Sequence, residues 1–471
     1  MRSSSLLQFF VFLLIVAFIA ITSCQFSQPS HLKNKLVQQH CASCHLYPDP
    51  TLLTSEVWTE SVLPEMSNYF AWEGKSTYAY ANKSFYNKLG RLPMDDQTWR
   101  ELLIFFETNG LKQPDTIYHK DLLVQNEFDE HTFSLAGDGN VTAVTIPSHG
   151  GLRVGSEQQL YTFASELRVI DSTLINEDIL HIYDYHEDST YIVSCRTIDP
   201  HEGADGSVWL LTDKKTKVAD RLRRPVQVKK ERHGLYVSEF GYQTGGLTFI
   251  DHDQARTPVH QFPGAYKILK AQLDPLPSKK NLVVSLSQGL DGVYKVDEYR
   301  NFKLDPLLRF GPSFGLSDID ISDINGDGLD DLLVVNGDNA DYSIIPKSFH
   351  GVRVYINQGN DKYEESFHYP LHGATQGKWI DINNDSHMDF VVSCYFAIDQ
   401  QHSILIFLAD QNQRFTPSRV QNSSVGRWMV MDKGDIDLDG DDDIVLGSYL
   451  AGPMSNMRGK STRQILVLHN K

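Results

Sequence analysis

Basic residues are the first thing in short supply. Lys and Arg number 43 against 60 Asp and Glu, a net charge of -17, and the bases are nowhere clustered enough to neutralise a phosphate backbone. Nucleic acid is therefore excluded as a partner. Tryptophan is scarce too. After the first quarter of the chain only Trp209, Trp379 and Trp428 remain, too few for the Trp-rich repeats that would surround a quinone cofactor. A second Cys-x-x-Cys-His is missing, and only five cysteines occur in all. What is present, 41% hydrophobic and 22% charged residues over 471 positions, suits a chain of two or three folded units.

The N-terminus reads as an export signal. Arg2 supplies a positive start, Leu6 to Ile21 is apolar apart from Gln8, and Ile21-Thr22-Ser23-Cys24 follows. These four residues resemble a bacterial lipobox, which implies lipidation at Cys24 and a mature chain that begins there. An uncleaved anchor helix is the alternative, and either arrangement leaves the rest outside the cytoplasm. Residues 1–23 are thus expected to be signal, and 24–30 a lipidated tether. Gln25 is not the Asp that, by resemblance to known sorting rules, would retain such a protein at the inner membrane. The expected location is the outer membrane, facing the periplasm.

Residues 41–45 read Cys-Ala-Ser-Cys-His, the attachment signature of haem c. The spacing sets Cys41 and Cys44 at the two vinyl groups of one porphyrin, with His45 as the proximal iron ligand. A thioredoxin-like pair would want a βαβ context and a zinc site a second pair of ligands, and neither is visible. The sixth ligand is expected to be Met66, with Met94 as the alternative; His40 or an open position completes the choice. Met66 ends a segment whose inner face includes Trp58 and Val62, and Pro64 is expected to close that helix. Met94 precedes a second helix, with Asp95 or Asp96 as N-cap, Trp99, Leu102, Leu103 and Phe106 inward, and Gly110 as the stop. A small all-α haem domain over 31–110 follows, then a linker at 111–121.

Three nine-residue loops recur in the last third: Asp323, Asn325, Asp327 and Asp331; Asp381, Asn383, Asp385 and Asp389; Asp435, Asp437, Asp439 and Asp443. An apolar strand follows each, and a period in the fifties indicates a propeller or solenoid. Oxygen donors at positions 1, 3, 5 and 9 suit a hard cation, calcium above all. An EF-hand is excluded, since no Glu stands at position 12 and strands rather than helices follow. Gly326 and Gly440 relax the turns, whereas the second loop lacks the glycine after Asp385.

These loops resemble the calcium loops of FG-GAP (VCBS-type) repeats, the units of integrin-like β-propellers. Arg224 to Leu247 and Phe262 to Gly289 look like further blades whose acidic loops are lost; Asp138-Gly139-Asn140 and Asp199 to Trp209 fall in earlier, eroded ones. Taken whole, the chain resembles bacterial lipoproteins in which a short cytochrome c module precedes an FG-GAP propeller. That resemblance implies an all-β propeller over 122–471, seven-bladed at about fifty residues per blade. It also implies up to three calcium ions, one covalent haem c, and electron transfer with an unidentified redox partner protein. Two other functions remain open: a haem-containing oxidoreductase with a substrate site on the propeller, and an adhesive propeller binding protein or glycan. Cys195 and Cys394, each ending an apolar run, are expected to be separate buried thiols.

Overall fold

Runs such as Asn281–Leu286, Asp331–Asn336 and Asp389–Ser393 are apolar almost without interruption, so neither face of the strand can be left to water. In the computed structural model neither is. The structure describes residues 34–67, 94–115, 122–135, 140–274, 280–338, 343, 345–450 and 463–471; the signal segment, Cys24 and the tether lie outside them. Among the described residues the strands form seven antiparallel sheets of four, the blades of a propeller. Their first strands are Val141–Thr145, Asp178–His186, Pro225–Glu231, Ala265–Ala271, Leu316–Ser322, Gln376–Ile380 and Trp428–Gly434. Blades are numbered one to seven in that order.

The ring closes by exchange. Blade seven takes three strands from the C-terminus and its fourth, Asp129–Phe133, from ahead of blade one, paired with Ile465–His469 from Asp129↔His469 to Phe133↔Ile465. Joining the two ends of the propeller in one sheet leaves no open edge between first and last blade.

The core is divided among the gaps between blades. Phe390 and Val392 face blade five, while Val391, between them, faces blade seven. The two-residue period of the strand thus supplies two interfaces at once. Trp379 and Trp428 are fully buried, one in each of these interfaces. Nearer the axis the first strands carry polar side chains that lace blades together. Lys267 Nζ reaches Asp318 Oδ1 at 2.7 Å, and Gly377 N–H donates to Asp318 Oδ2 at 3.2 Å. Ile146 N–H and Thr145 Oγ1 donate to Asp432 Oδ2 at 3.1 and 3.0 Å across the closure.

Antiparallel order fixes which loops share an end. Turns from first to second strand, including 323–330, 381–388 and 435–442, lie at one end of the ring. Turns from second to third strand, with the connections between blades, lie at the other. Blade three has the short turn Arg232-His233 where the acidic loop would stand, so it can bind no ion there. Asp199 lies in a second-to-third-strand loop of blade two, at the opposite end from the acidic loops.

Ahead of the propeller stands a small helical unit. Helix α1, Lys35–His40, is capped by Asn34, whose Oδ1 accepts from Leu36 N–H at 2.8 Å. Helix α2, Ser55–Val57, runs through a π turn, Trp58–Val62, into α3, Leu63–Met66, and α4 is Asp96–Asn109. Pro64 therefore does not end the helix as the sequence suggested. It falls in the first turn of α3, where the wider π turn has already set aside the bond its missing N–H would make. Asp95 is the N-cap of α4, accepting from Thr98 N–H at 2.7 Å. Gly110 stops that helix at an ordinary φ of -67°, so the reason for glycine is space. A Cβ there would lie 2.8 Å from the Ser55 backbone.

Candidate functional site

The Cys-Ala-Ser-Cys-His segment forms a turn directly after α1, closed by Cys44 N–H donating to Cys41 O at 3.2 Å. Cys41 points into the helical core, 6% exposed, and Cys44 points out. Burial, then the neighbouring Cys44, pushes the Cys41 thiol up to about 12. His45 Nδ1 lies 2.7 Å from the Leu46 carbonyl oxygen. That oxygen can only accept, so Nδ1 carries the proton and Nε2 keeps its lone pair. Burial lowers the His45 pKa, opposed by the Leu46 bond and helped by Arg309. A neutral imidazole with its far nitrogen locked to a carbonyl is how a metal-ligating histidine is held. The residues present fit haem c.

Both methionines are described, and their settings differ. Met94 is 3% exposed inside a core with Cys41, Trp58, Leu63, Trp99 and Phe106. Met66 is half-buried at the end of α3 and, among the described residues, is not part of that core. Residues 68–93, which join the two, lie outside the described residues.

The helical unit rests on the propeller end opposite the acidic loops. Ile345 and Phe349, from the long loop of blade five, pack against its core, and Ser348 Oγ donates to Asp115 Oδ2 at 2.6 Å. Gly289, in the corresponding loop of blade four, faces the His45 ring; a Cβ built there would lie 3.7 Å from His45 Cδ2. Nothing in the sequence singles out this contact, because each loop reads separately as a propeller turn.

The three acidic loops are nearly superposable in their bonding. Asp323, Asp381 and Asp435 accept from the backbone N–H groups of Asp327, Asp385 and Asp439 at 3.1–3.2 Å, and from Gly328, Ser386 and Gly440 at 2.8–3.0 Å. Positions four and six have positive φ in every loop: Gly326 and Gly328, Asn384 and Ser386, Leu438 and Gly440. The turn therefore needs left-handed backbone twice, and only the first loop meets that with glycine both times. Asp331, Asp389 and Asp443 are buried and spend both oxygens on backbone amides. Those of Ile324 and Asn357, Ile382 and Ala409, and Ile436 and Asn470 donate at 2.7–3.1 Å. The ninth residue thus staples loop to strand as well as closing the cage.

In the third loop, carboxylate oxygens of Asp435, Asp437 and Asp443 lie within 4.8 Å of one another. Burial, then Asp439 and Asp443, raises the Asp437 pKa. Such crowding is what a bound cation relieves, and an all-oxygen set selects a hard ion. The residues fit calcium, which Asp323, Asn325, Asp327 and Asp331 and their counterparts in the other two loops would hold.

Cys195 and Cys394 are fully buried and form no disulfide. They lie in different blades, each where a second strand ends. Burial raises both thiols. The sequence did not bring Cys195 together with His201 and Asp205, which converge on it; the signal available was a Cys, a His and an Asp within eleven positions of one loop.

The fold and loops define a seven-bladed β-propeller with FG-GAP-like repeats. A model of the FG-GAP-like repeat matches residues 323–392 and 381–446, spanning all three acidic loops. No curated protein matches the sequence. Among solved structures, the N-terminal domain of Nup159 aligns over 76% of this chain and 98% of its own, at 10% identity and a TM-score of 0.42. The extracellular domains of a hybrid two component system and a one component system from B. thetaiotaomicron each align over 73% of this chain. Their TM-scores are 0.45 and 0.46, at 11% and 10% identity. This chain spans 42% and 40% of those two proteins. No helix among the described residues is long and apolar enough to cross a membrane.

Proposed function

We propose that the chain is an exported c-type cytochrome, anchored through lipid on Cys24 at the periplasmic face of the outer membrane. It carries one haem held by Cys41 and Cys44. The propeller is its docking platform, kept rigid by calcium in the three acidic loops. Bound haem supplies one-electron redox chemistry. The chain's own residues do the rest. Two thiols on one turn fix the macrocycle, His45 offers Nε2, and the Leu46 carbonyl holds the ring in that tautomer. Met66, which among the described residues is not part of the helical core, is the proposed sixth ligand, and Met94 is the alternative. Because blade four lies against His45 and blade five against the helical core, the propeller governs how closely a redox partner protein can approach.

The observation that carries the reading is the His45 geometry within Cys-x-x-Cys-His. After maturation in a host competent for haem attachment, a boiled denaturing gel should stain for haem. The stain should vanish in Cys41→Ser/Cys44→Ser. A wild-type band without stain refutes the proposal.

One observation favours a second reading, a propeller that binds an acidic glycan. Tyr183 and Tyr185 line a hollow with Lys229, Lys230, Glu231, Arg232 and Lys270 at the acidic-loop end of blades two to four; Glu231 pairs with Lys270 at 2.6 Å, and the remaining bases leave the hollow net positive. Retention on an acidic polysaccharide that is lost in Tyr185→Ala would favour it.

A further inference from the structure

We infer that the loop between Cys195 and Gly206 of blade two is a binding site for a zinc-class divalent ion, held by Cys195 Sγ, His201 Nε2 and Asp205 Oδ1. The three atoms converge: Sγ to Oδ1 is 3.1 Å, Nε2 to Oδ1 is 2.9 Å, and Sγ to Nε2 is 3.9 Å. A tetrahedral ion with ordinary zinc bond lengths requires separations of about 3.5, about 3.3 and about 3.6 Å for the same pairs. Each atom need shift by no more than a few tenths of an ångström.

The atoms behind the ligands are arranged as for a metal. His201 Nδ1 lies 2.8 Å from the Asp199 carbonyl oxygen, which puts the proton there and leaves Nε2 facing the cluster. Arg196 Nε donates to Asp205 Oδ2 at 2.9 Å, so only Oδ1 is turned inward. Metal-bound histidines and carboxylates are oriented by such partners. The loop is tied down on both sides. Ile198 N–H donates to Asp178 Oδ2 at 2.8 Å, and Thr244 Oγ1, in blade three, donates to Glu202 Oε2 at 2.8 Å. Gly203 lies beneath the cluster, where a Cβ would come within 2.8 Å of the His201 ring and 2.9 Å of Asp205 Oδ2. A methyl group there would press on both ligands and push them from the converged arrangement.

The donor set chooses the ion. One sulfur, one imidazole and one carboxylate suit zinc and exclude calcium, which takes oxygen alone. A nucleophilic Cys-His-Asp arrangement is opposed by geometry, since Asp205 sits on the same histidine nitrogen as Cys195 and a backbone carbonyl, not a carboxylate, faces the other. Three protein ligands leave the fourth position to water. Binding replaces the Cys195 thiol proton, which leaves to solvent. The site belongs to the same end of the propeller as the helical unit, and it stands independently of any haem.

The test uses the purified full-length chain, with calcium in excess to fill the acidic loops, titrated with Zn(II). One equivalent should bind, and X-ray absorption should show one sulfur at about 2.3 Å beside nitrogen and oxygen neighbours. Cys195→Ser should remove the sulfur, and both it and His201→Gln should weaken binding a hundredfold or more. Gly203→Ala keeps all three ligands and should still weaken binding about tenfold through crowding. Cys394→Ser should change nothing. Melting curves without zinc identify any variant that fails to fold, and Asp205→Asn then stands in for it. The proposal is overturned if affinity is unchanged in folded Cys195→Ser and His201→Gln. It is overturned equally if the sulfur signal is lost only in Cys41→Ser/Cys44→Ser, which would put the zinc on the N-terminal turn.

Discussion

Removing calcium should destabilise the propeller by an amount the loops allow to be worked out. A ligand at a hundredfold excess over its dissociation constant adds about 2.7 kcal/mol to the state that binds it. A propeller of roughly 340 residues unfolds with an entropy near 0.7 kcal/mol/K, at about 2.1 cal/mol/K per residue. Each filled loop is then worth about 4 °C in Tm, and three about 11 °C. The loops are not equal. The third has four aspartates, three of them mutually close, so its empty form is the most strained by repulsion. The second has Ser386 at φ +66° where the others have glycine, so part of its binding energy is spent on the backbone. Calorimetry in calcium and in chelator measures the total. Asp327→Ala should remove about a third of the difference, Asp439→Ala somewhat more, and Asp274→Ala none of it. A Tm that moves by less than about 1 °C on chelation would refute the argument and leave the loops as acidic turns held by their own amides.

Met66→Ala should abolish sulfur ligation and lower the haem potential with little loss of stability. Met94→Ala should spare ligation and cost about 2–5 kcal/mol by opening the core beside Cys41; near-infrared spectra and urea unfolding separate the two, and the converse pattern would exchange their roles. His350 is fully buried, and its pKa is held well below the ordinary value by burial, then by Lys347, His372 and Arg353, against the Ser313 carbonyl. A depressed pKa in the folded state gives stability that is present above pH 6.5 and lost as acid protonates the unfolded chain. The loss from this one group at pH 5 is at most about 2 kcal/mol, the limit set by protonation of the unfolded chain alone. His350→Gln should remove that share of the pH dependence, measured as the difference between urea unfolding at pH 7.5 and pH 5; an unaltered difference would show that His350 titrates alike in both states.

Much of the propeller can be read from the sequence because its physics is local. A strand buried on both faces is written as an unbroken apolar run, and an acidic loop as oxygens at alternate positions. Closure of the ring is less legible, since Asp129–Phe133 is a short, half-polar segment whose partner stands more than 300 residues away. Pro64 misled for a related reason: the rule that proline ends a helix assumes α geometry, and the π turn ahead of it removes the assumption. The Cys195 cluster went unseen because its three residues are unremarkable singly. Their convergence depends on Gly203, on Arg196 behind Asp205, and on ties to blades two and three. The sequence also lists Asp331, Asp389 and Asp443 as plain ligands, whereas the fold gives each two backbone amides to hold.

The two ends of the ring differ in a way that bears on mechanism. Every acidic loop joins a first strand to a second, whereas among the described residues the helical unit meets the propeller at second-to-third-strand loops, through Gly289, Ser348 and Phe349. A strand therefore separates each acidic loop from the surface on which His45 rests. At six residues and about 3.3 Å each, Asp331–Asn336 alone spans roughly 20 Å, beyond a Debye length at physiological salt. An ion in loop 323–331 can thus stiffen blade five without adding appreciable charge beside Arg309 and His45. What passes along the strand is rigidity: Asp331 anchors the loop at one end, and the blade's long loop presents Phe349 to the helical unit at the other. Chelation should accordingly leave the haem potential in place while loosening the seat of the helical unit, and a potential that shifted with calcium at constant ionic strength would mean that the two ends communicate through more than packing.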